Sequence, residues 1–188
     1  GQLMRSLDRA EIRYNSKGMS HTADGSVVYQ ITLHHGNDFE IDLTSEAMVS
    51  QYHTENNQTI IIIMDPTDEN LFAVIEGSYE VQEIIGASVD GYIPMDIIEI
   101  PDEFQLMPAY PNPFNPVTNI QFGIPEASRV DIAIYDLKGS VVDVLVQDYM
   151  EQGYHTVTWN AINQATGIYF VVMTSSEKTF TQKVMVLK

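Results

Sequence analysis

Apolar and polar residues alternate with a period of two through most of the second half of the chain. The alternating stretches are residues 120–124, 130–134, 142–146 and 155–159. Residues 168–173 are apolar on both faces, as in a central strand. Successive side chains of a strand point to opposite faces, so this pattern predicts short strands without helices. Turn signals at 136–139, 163–167 and 175–178 separate the stretches. The pattern predicts an immunoglobulin-like sandwich of six or seven antiparallel strands.

The first hundred residues are also mainly predicted strand. Alternation occurs at 27–33, 39–43 and 71–75, and residues 59–64 fit a strand that is buried on both faces. Two places depart from this pattern. Leu3, Leu7, Ala10 and Tyr14 recur at helical spacing, which predicts a short N-terminal helix, and residues 45–53 fit one or two helical turns. The whole chain is therefore predicted to be all-β, with two β-sandwich domains in tandem.

A proline-rich segment separates the two halves. Five of the eight prolines lie between Pro101 and Pro116. Proline fixes φ and lacks a backbone donor, so the spacing excludes a helix or a central strand. We expect an acidic domain at 1–100, a linker at 101–116 and a second domain at 117–188. In this linker we expect Asn112 and Asn115 to form Asx-turns and Phe114 to anchor the segment in a neighbouring domain.

The charge is strongly negative and unevenly distributed. The formal net charge is −17, and residues 1–100 hold 17 Asp and Glu against 4 Lys and Arg. Neither Lys nor Arg occurs between Lys17 and Arg129. Such a surface repels phosphate, so we expect no nucleic-acid partner. The chain has no cysteine, which excludes thiol catalysis and disulfide bonds. No basic, apolar leader precedes the first strands, so we expect a removed signal peptide or a longer precursor.

The sequence carries no recognisable catalytic motif. It has no G-x-S-x-G elbow, no phosphate-binding loop and no H-E-x-x-H pair. His34 and His35 are neighbours that point to opposite faces of a strand, and we expect both to be solvated or at an edge. His155 alternates with Trp159, and we expect it to be a hydrogen-bonded structural residue. These features predict a protein that is not an enzyme.

The sequence contains two weaker candidate binding sites. The stretch "DPTDEN" groups Asp65, Asp68 and Glu69 after a buried strand, which suits Ca²⁺, although a solvated turn fits it better. No other cofactor is predicted. Tyr110, Trp159 and Tyr169 are candidates for a sugar-binding platform, but sandwiches commonly bury one tryptophan, so we expect Trp159 in the core.

Five stretches of the second half, taken together, resemble a known family. They are "YPNPFNP" (110–116), "IYDLKGSVV" (134–142), "GYHTVTW" (153–159), "TGIYFVVM" (166–173) and "KVMVLK" (183–188). In this order they resemble the type A C-terminal sorting domain of type IX secretion substrates, which occurs in Bacteroidetes and is related to a flagellar hook-cap module. The matching residues are Tyr110, Pro111, Asn112, Pro113, Phe114, Asn115, Pro116, Tyr135, Asp136, Gly139, Gly153, His155, Trp159, Gly167, Tyr169, Phe170, Lys183 and Lys188.

The resemblance implies transit through the periplasm, recognition by the outer-membrane secretion machinery and a final place outside the cell or on its surface. The last strand is expected to offer an edge to a receptor strand, to complete the sandwich with Lys183 and Lys188 guarding its edge, or to do both. The first half matches no family beyond a faint similarity to cohesin-like sandwiches.

Three functions remain open on the sequence. The first is a secreted, non-enzymatic module whose acidic domain serves adhesion, carbohydrate binding or surface structure. The second is a structural subunit of an extracellular assembly that keeps its terminal domain and packs against copies of itself. The third is the non-catalytic tail of a larger secreted hydrolase. Possible partners are therefore the secretion machinery, further copies of the chain and surface polysaccharide.

Overall fold

The computed structural model describes residues 9–23, 25–176 and 178–188, and the regular structure in these ranges is all β-strand. The chain divides into two compact units, Gly1–Glu99 and Ile100–Lys188. This confirms the predicted all-β class and the tandem arrangement of sandwiches. Among the described residues, no helix is long and apolar enough to cross a membrane.

The first domain is a sandwich of two five-stranded sheets. Its strands within the described residues are β1 (Ala10–Asn15), β2 (Gly18–His21), β3 (Val28–His35), β4 (Glu40–Leu43), β5 (Ala47–Glu55), β6 (Gln58–Pro66), β7 (Asn70–Glu76), β8 (Tyr79–Ser88), β9 (Gly91–Ile93) and β10 (Met95–Glu99). One sheet has the order β10-β1-β2-β7-β4 and the other β5-β6-β3-β8-β9. The pairs are antiparallel except for β1 with β10, which is parallel.

Alternating residues of the inner strands build the core of the first domain. Ile31, Leu33, Ile61 and Ile63 are fully buried and point towards the opposite sheet, where Ile12 is fully buried as well. Complete burial of one such side chain contributes about 1.5–3 kcal/mol relative to exposure. The alternation at 27–33 identified one strand of this core, since Tyr29, Ile31 and Leu33 are fully buried. Residues 59–64 are not buried on both faces as expected, because Ile60 is 38% exposed on the outer face of the sheet. The alternation expected at 71–75 is also wrong at its end, where Ile75 is 61% exposed.

Both helical predictions for the first domain are wrong wherever the structure describes them. Leu3 and Leu7 lie outside the described residues, whereas Ala10 and Tyr14 belong to β1. Residues 47–53 belong to β5, which forms a hairpin with β6. Asn56 and Asn57 join these strands with φ of 50° and 64°, the conformation of a two-residue hairpin turn. Pairing with β6 therefore overrides the local pattern in this region.

The second domain packs a three-stranded sheet on a four-stranded one. Its strands within the described residues are β11 (Gln105–Leu106), β12 (Val117–Ile124), β13 (Ser128–Tyr135), β14 (Val141–Met150), β15 (Gly153–Asn160), β16 (Gly167–Ser175) and β17 (Lys178–Val186). The sheet orders are β11-β12-β15 and β14-β13-β16-β17. All pairs are antiparallel, and β13 and β14 are joined with two register shifts. This is the predicted immunoglobulin-like sandwich.

The proline-rich segment is part of the second domain and not a free linker. Phe104, Ala109 and Phe114 are buried in the same core as Ile120 and Trp159. β11 also lies within the segment and pairs with β12. The expected linker at 101–116 is therefore corrected: its apolar side chains have a core to enter, and its backbone has sheet edges to bond to.

Candidate functional site

The stretch 110–116 runs along the outer edge of the last strand, β17. The peptide bonds before Pro111, Pro113 and Pro116 are cis. The stretch forms isolated bridges rather than a regular strand, one of them between Phe114 and Val186 in parallel orientation. Because β16 already occupies the other side of β17, this arrangement places the last strand between two partners. We call residues 110–116 the clamp segment.

Asn112 binds the last strand with its side chain. Its Nδ2 donates to the backbone oxygen of Lys183 at 3.1 Å, and its Oδ1 accepts from the backbone N–H of Met185 at 3.0 Å. A carboxamide offers a donor and an acceptor, as a peptide group does, so it replaces one step of a β ladder where proline cannot supply an N–H. The expected Asx-turn at Asn112 is therefore wrong, because the side chain reaches a distant strand instead.

The backbone of Phe114 continues the same ladder. Its N–H donates to the Met185 oxygen at 3.0 Å, and its oxygen accepts from the N–H of Leu187 at 2.9 Å. Together with the two bonds of Asn112, these bonds occupy the outer edge of the chain from Lys183 to Leu187. The expectation of an open edge at residues 183–188 is therefore wrong. This part of the strand already has a partner, which comes from its own domain.

The Phe114 side chain fixes the clamp segment to the core. It is 3% exposed, and its ring centroid lies 5.3 Å from that of Trp159. Trp159 is fully buried and meets Tyr169 edge-on at 5.3 Å. The core position expected for Trp159 is confirmed. Because Tyr169 is also buried, these rings do not form a sugar-binding platform with the exposed Tyr110.

The opposite sheet holds the other side of the clamp segment. The backbones of Tyr110 and Asn119 exchange two hydrogen bonds of 3.0 Å. The Thr118 hydroxyl donates to the Pro111 oxygen at 2.7 Å, and the Ala161 N–H donates to the Pro116 oxygen at 2.8 Å. The segment thus closes one side of the sandwich by bonding to β12 and to β17.

A tight turn at 136–140 carries the second matching stretch. Asp136 Oδ1 accepts from the N–H groups of Lys138 at 2.8 Å and Ser140 at 2.9 Å. Gly139 has φ of 79°, a left-handed conformation that favours glycine. The turn joins β13 to β14, and Tyr135 at its start is half-buried. These contacts explain why Asp and Gly are needed at these positions.

The remaining matching residues have structural contacts. His155 Nε2 lies 2.8 Å from the Glu151 oxygen, and its ring stacks on Phe122 at 5.5 Å. Gly153 has φ of 133° at the start of β15. Gly167 and Phe170 pair with residues of β17, and the Lys188 ammonium donates to the Ile162 oxygen at 3.0 Å. His155 is thus the structural histidine that the sequence predicts.

The candidate calcium ligands are not gathered into a site. Asp68 Oδ1 accepts from the backbone and side-chain nitrogens of Asn70 at 3.2 and 3.4 Å, which is a turn contact. Within residues 9–23, 25–176 and 178–188, no group of three or more metal-ligating side chains occurs. Asp65 has φ of 49° near the end of β6, and Glu69 precedes β7. A role for Asp65, Asp68 and Glu69 in Ca²⁺ binding stays a prediction.

One of the two neighbouring histidines of β3 is buried, contrary to expectation. His35 is 7% exposed, stacks on Phe39 at 4.4 Å and lies 2.7 Å from the Thr59 hydroxyl. The expectation that His35 is solvated or at an edge is wrong, because β3 is the central strand of its sheet and this face is the core. His34 points the opposite way and is exposed, as expected.

His21 was missed by sequence reasoning. Its Nδ1 accepts from the Tyr29 hydroxyl at 3.0 Å and from the Ala23 N–H at 3.3 Å, so its Nε2 donates to the Asp68 oxygen at 3.0 Å. Burial raises the pKa of the Tyr29 phenol. Only the alternation of β3 hinted at a buried Tyr29, and nothing local paired it with His21.

Comparison with known proteins identifies the second domain. Residues 108–187 match the family described as secretion system C-terminal sorting domain. No curated protein matches the chain. Dimeric latent PorU from Porphyromonas gingivalis is similar at 16% identity and a TM-score of 0.38, over 98% of this chain and 19% of that chain. A titin tandem of immunoglobulin domains is similar at 10% identity and a TM-score of 0.34, over 95% of this chain and 93% of that chain. Similarities this weak carry no functional information.

The family match, however, covers the clamp segment and every strand from β12 to β17, so the second domain is a secretion system C-terminal sorting domain.

Proposed function

We propose that the type IX secretion machinery exports this protein by recognising its folded second domain, after passage through the periplasm. The family match over residues 108–187 carries this proposal. A sorting domain of this family marks a protein that is exported to the cell surface or beyond it. The recognised feature is a folded surface, because the matching residues are distant in sequence and meet only in the sandwich.

The secretion machinery recognises the surface around the clamp segment. Tyr110 is 80% exposed at one end of the segment, and Leu187 is 45% exposed beside its other end. The four hydrogen bonds between the clamp segment and residues 183–187 hold these groups at fixed positions. Recognition of the clamp together with the last strand requires a correctly folded second domain, so it selects against chains in which this domain is unfolded.

Export of the full chain from a bacterium with a type IX system tests this role. Asn112→Ala removes two of the four bonds between the clamp segment and residues 183–187, and we expect it to lower export while the domain still folds. Thr179→Ala is the matched control, because Thr179 is exposed on the same strand outside the clamped part. A chain lacking residues 184–188 is expected to stay in the periplasm. Normal export of that chain contradicts the proposal.

We assign the first domain to binding at the cell surface rather than to catalysis. Three observations support this role: the sheets enclose a continuous apolar core, the buried histidines are hydrogen-bonded to their own domain, and the net charge suits attraction of cations or basic partners. Adhesion and binding of surface polysaccharide both fit. Saturable binding of the full chain to isolated cell-surface material, without turnover of that material, is the expected result.

A structural role in an extracellular assembly is the second candidate. It is favoured by the clamp, which makes the terminal domain a closed unit able to persist in the mature protein. Intact mass and sedimentation of native extracellular material distinguish the two roles. A large particle that retains Lys188 supports the assembly, whereas a small species supports the binding module.

A further inference from the structure

The first domain has one long edge strand with no evident protection. β5 is nine residues long and stands at the end of its sheet, so among the described residues no strand pairs with its outer side. Its register with β6 shows no shift, and residues 47–54 contain neither charge nor proline. Proteins usually protect edges with lysine, proline, bulges or short strands. An edge without these features is suited to pairing with a further strand.

Edges of the second domain are treated differently. In β14, Asp143 and Asp148 each accept a hydrogen bond from the next backbone N–H, at 2.9 and 2.8 Å, which withdraws those donors from a partner strand. β14 itself is irregular, because its register with β13 shifts twice. The clamp segment covers the outer side of β17 from Lys183 onwards. The open edge of β5 is therefore not a general property of this chain.

Hydrogen bonds of β6 fix the direction of the free groups on β5. The His35 N–H donates to the Asn57 oxygen at 2.9 Å, and the Asp65 N–H donates to the Val27 oxygen at 2.8 Å. Odd-numbered residues of β6 thus bond to β3. Since neighbouring residues of a strand bond to opposite sides, the even-numbered residues of β6 bond to β5.

The even-numbered residues of β6 face odd-numbered residues of β5, as Ile62 faces Gln51. Ser50, Tyr52 and Thr54 lie between these positions and direct their N–H and C=O groups away from β6. Three consecutive ladder positions are therefore open. A strand of about six or seven residues would satisfy them, because ladder positions recur at every second residue.

A groove runs beside this edge and accommodates side chains of an added strand. It has a volume of about 630 Å³ and is lined by β4, the connection at 44–45 and β5. Ser50 and Tyr52 face it, since their pairing partners Ile63 and Ile61 point into the core. The Ser50 hydroxyl is buried without a hydrogen-bond partner in the described part of the chain. Tyr52 is 51% exposed and forms an apolar rim.

The charge around the groove determines the kind of partner. Asp42 lines the groove, and Glu40, Glu46 and Glu55 lie in or beside the same two edge strands. Neither Lys nor Arg occurs between Lys17 and Arg129, so the elements around the groove supply no cation. A second copy of this chain, with net charge −17, is repelled at long range. Electrostatic complementarity favours a basic segment.

We propose that the groove between β4 and β5 binds an extended segment of another polypeptide that carries Lys or Arg and pairs with β5 as an added strand. This inference deepens the binding role proposed for the first domain and rests on that role. It is independent of export, which is tested through the second domain. Backbone bonds provide the affinity, and the groove selects side chains at alternate positions of the segment.

Titration of the full chain with a designed peptide tests the proposal by amide NMR and hydrogen exchange. The probe is a capped heptapeptide that alternates threonine with valine and has lysine at both ends. We expect saturable binding that protects the amides of Ser50, Tyr52 and Thr54, with little change at Gln51 and His53, which already bond to β6. Raising the salt from 50 to 500 mM should weaken binding by roughly threefold or more, because exposed charges are screened.

Two variants separate the backbone contribution from the side-chain contribution. Tyr52→Pro removes an outward N–H, and an edge strand tolerates proline. We expect about tenfold weaker binding, the factor that one hydrogen bond of ordinary strength produces. Tyr52→Ala keeps the N–H and should retain most of the affinity. Chemical shifts away from β5 report that both variants fold.

Three outcomes overturn the proposal. Absence of peptide binding at millimolar concentration would show that β5 and its groove do not form a binding site. Equal binding of the same peptide with glutamate in place of lysine removes the requirement for a basic partner. Self-association of the wild-type chain that Tyr52→Pro abolishes makes a second copy the occupant. None of these outcomes depends on whether the protein is exported.

Discussion

The side-chain oxygen of Asn112 accepts a hydrogen bond of 3.0 Å from the backbone N–H of Met185, 73 residues further along the chain. A second bond from Asn112 to the Lys183 oxygen gives the pair the geometry of a β ladder. The clamp segment and the last strand therefore depend on each other. Loss of either partner exposes the edge of β17.

Asn112→Ala should destabilise the second domain by about 1–2 kcal/mol, because two partly exposed hydrogen bonds are lost. Asn112→Asp should cost more than Asn112→Ala at neutral pH, since it loses the donor and places a carboxylate beside the Lys183 oxygen. Chemical denaturation of the full chain, followed through the fluorescence of Trp159, measures both. Asn115→Ala is the control, because Asn115 is exposed like Asn112 but its side chain makes no hydrogen bond within the described residues. An equal effect of Asn112→Ala and Asn115→Ala would refute the clamp.

Phe114→Ala should destabilise the second domain by about 3–5 kcal/mol, the usual cost of a large aromatic cavity. Phe114 is 3% exposed and lies against Trp159, so the site cannot easily collapse. Tyr110→Ala, at an exposed position of the same segment, should change stability by less than about 0.5 kcal/mol. Thermal unfolding of both variants provides the comparison. If Phe114→Ala unfolds at the wild-type temperature, the segment is not anchored as described.

The sequence predicts the second domain well because its strands are half-buried and alternate cleanly. Ile120, Phe122 and Ile124 are fully buried, whereas Asn119 and Gln121 are exposed. β5 has no such contrast, since neither of its faces is deeply buried, and its helical prediction fails for that reason. A local pattern identifies a strand only where one face enters a core.

The clamp could not be predicted from the sequence. Prolines at 111, 113 and 116 indicate that a regular strand is impossible, but they do not indicate which distant edge the asparagine between them reaches. The same limit applies to His21, whose partners Tyr29 and Asp68 come from other strands and turns. Long-range pairs of polar groups carry no local signal. The residue types were identified, whereas their partners were not.

Alkaline pH should destabilise the first domain through Tyr29. Burial raises the pKa of its phenol in the folded chain above the ordinary value of about 10, which the unfolded chain retains. At a pH between the unfolded and the folded pKa, the unfolded chain releases a proton that the folded chain keeps. The unfolded state is thereby favoured, and stability is full below pH 10 and falls as the pH rises beyond it. Tyr29→Phe should cost about 1 kcal/mol at pH 7 and lose part of the alkaline decline. Denaturation at pH 7 and pH 11 measures this. Parallel declines in the two proteins would contradict the prediction.

Gly139→Ala should destabilise the second domain by about 1–2 kcal/mol although there is room for the added methyl group. No atom lies within 4 Å of a Cβ built at Gly139, so the cost comes from its φ of 79°, which an L-residue with Cβ adopts only with strain. Gly167→Ala is the matched control, since Gly167 has no positive φ and its nearest contact, a Tyr169 ring carbon at 4.0 Å, is ordinary. That variant should be neutral or slightly stabilising, because alanine restricts the unfolded chain. Gly139→Asn should recover part of the loss, because asparagine tolerates the left-handed conformation better than alanine does. Equal stability of Gly139→Ala and Gly167→Ala in urea denaturation would show that the turn does not require this conformation.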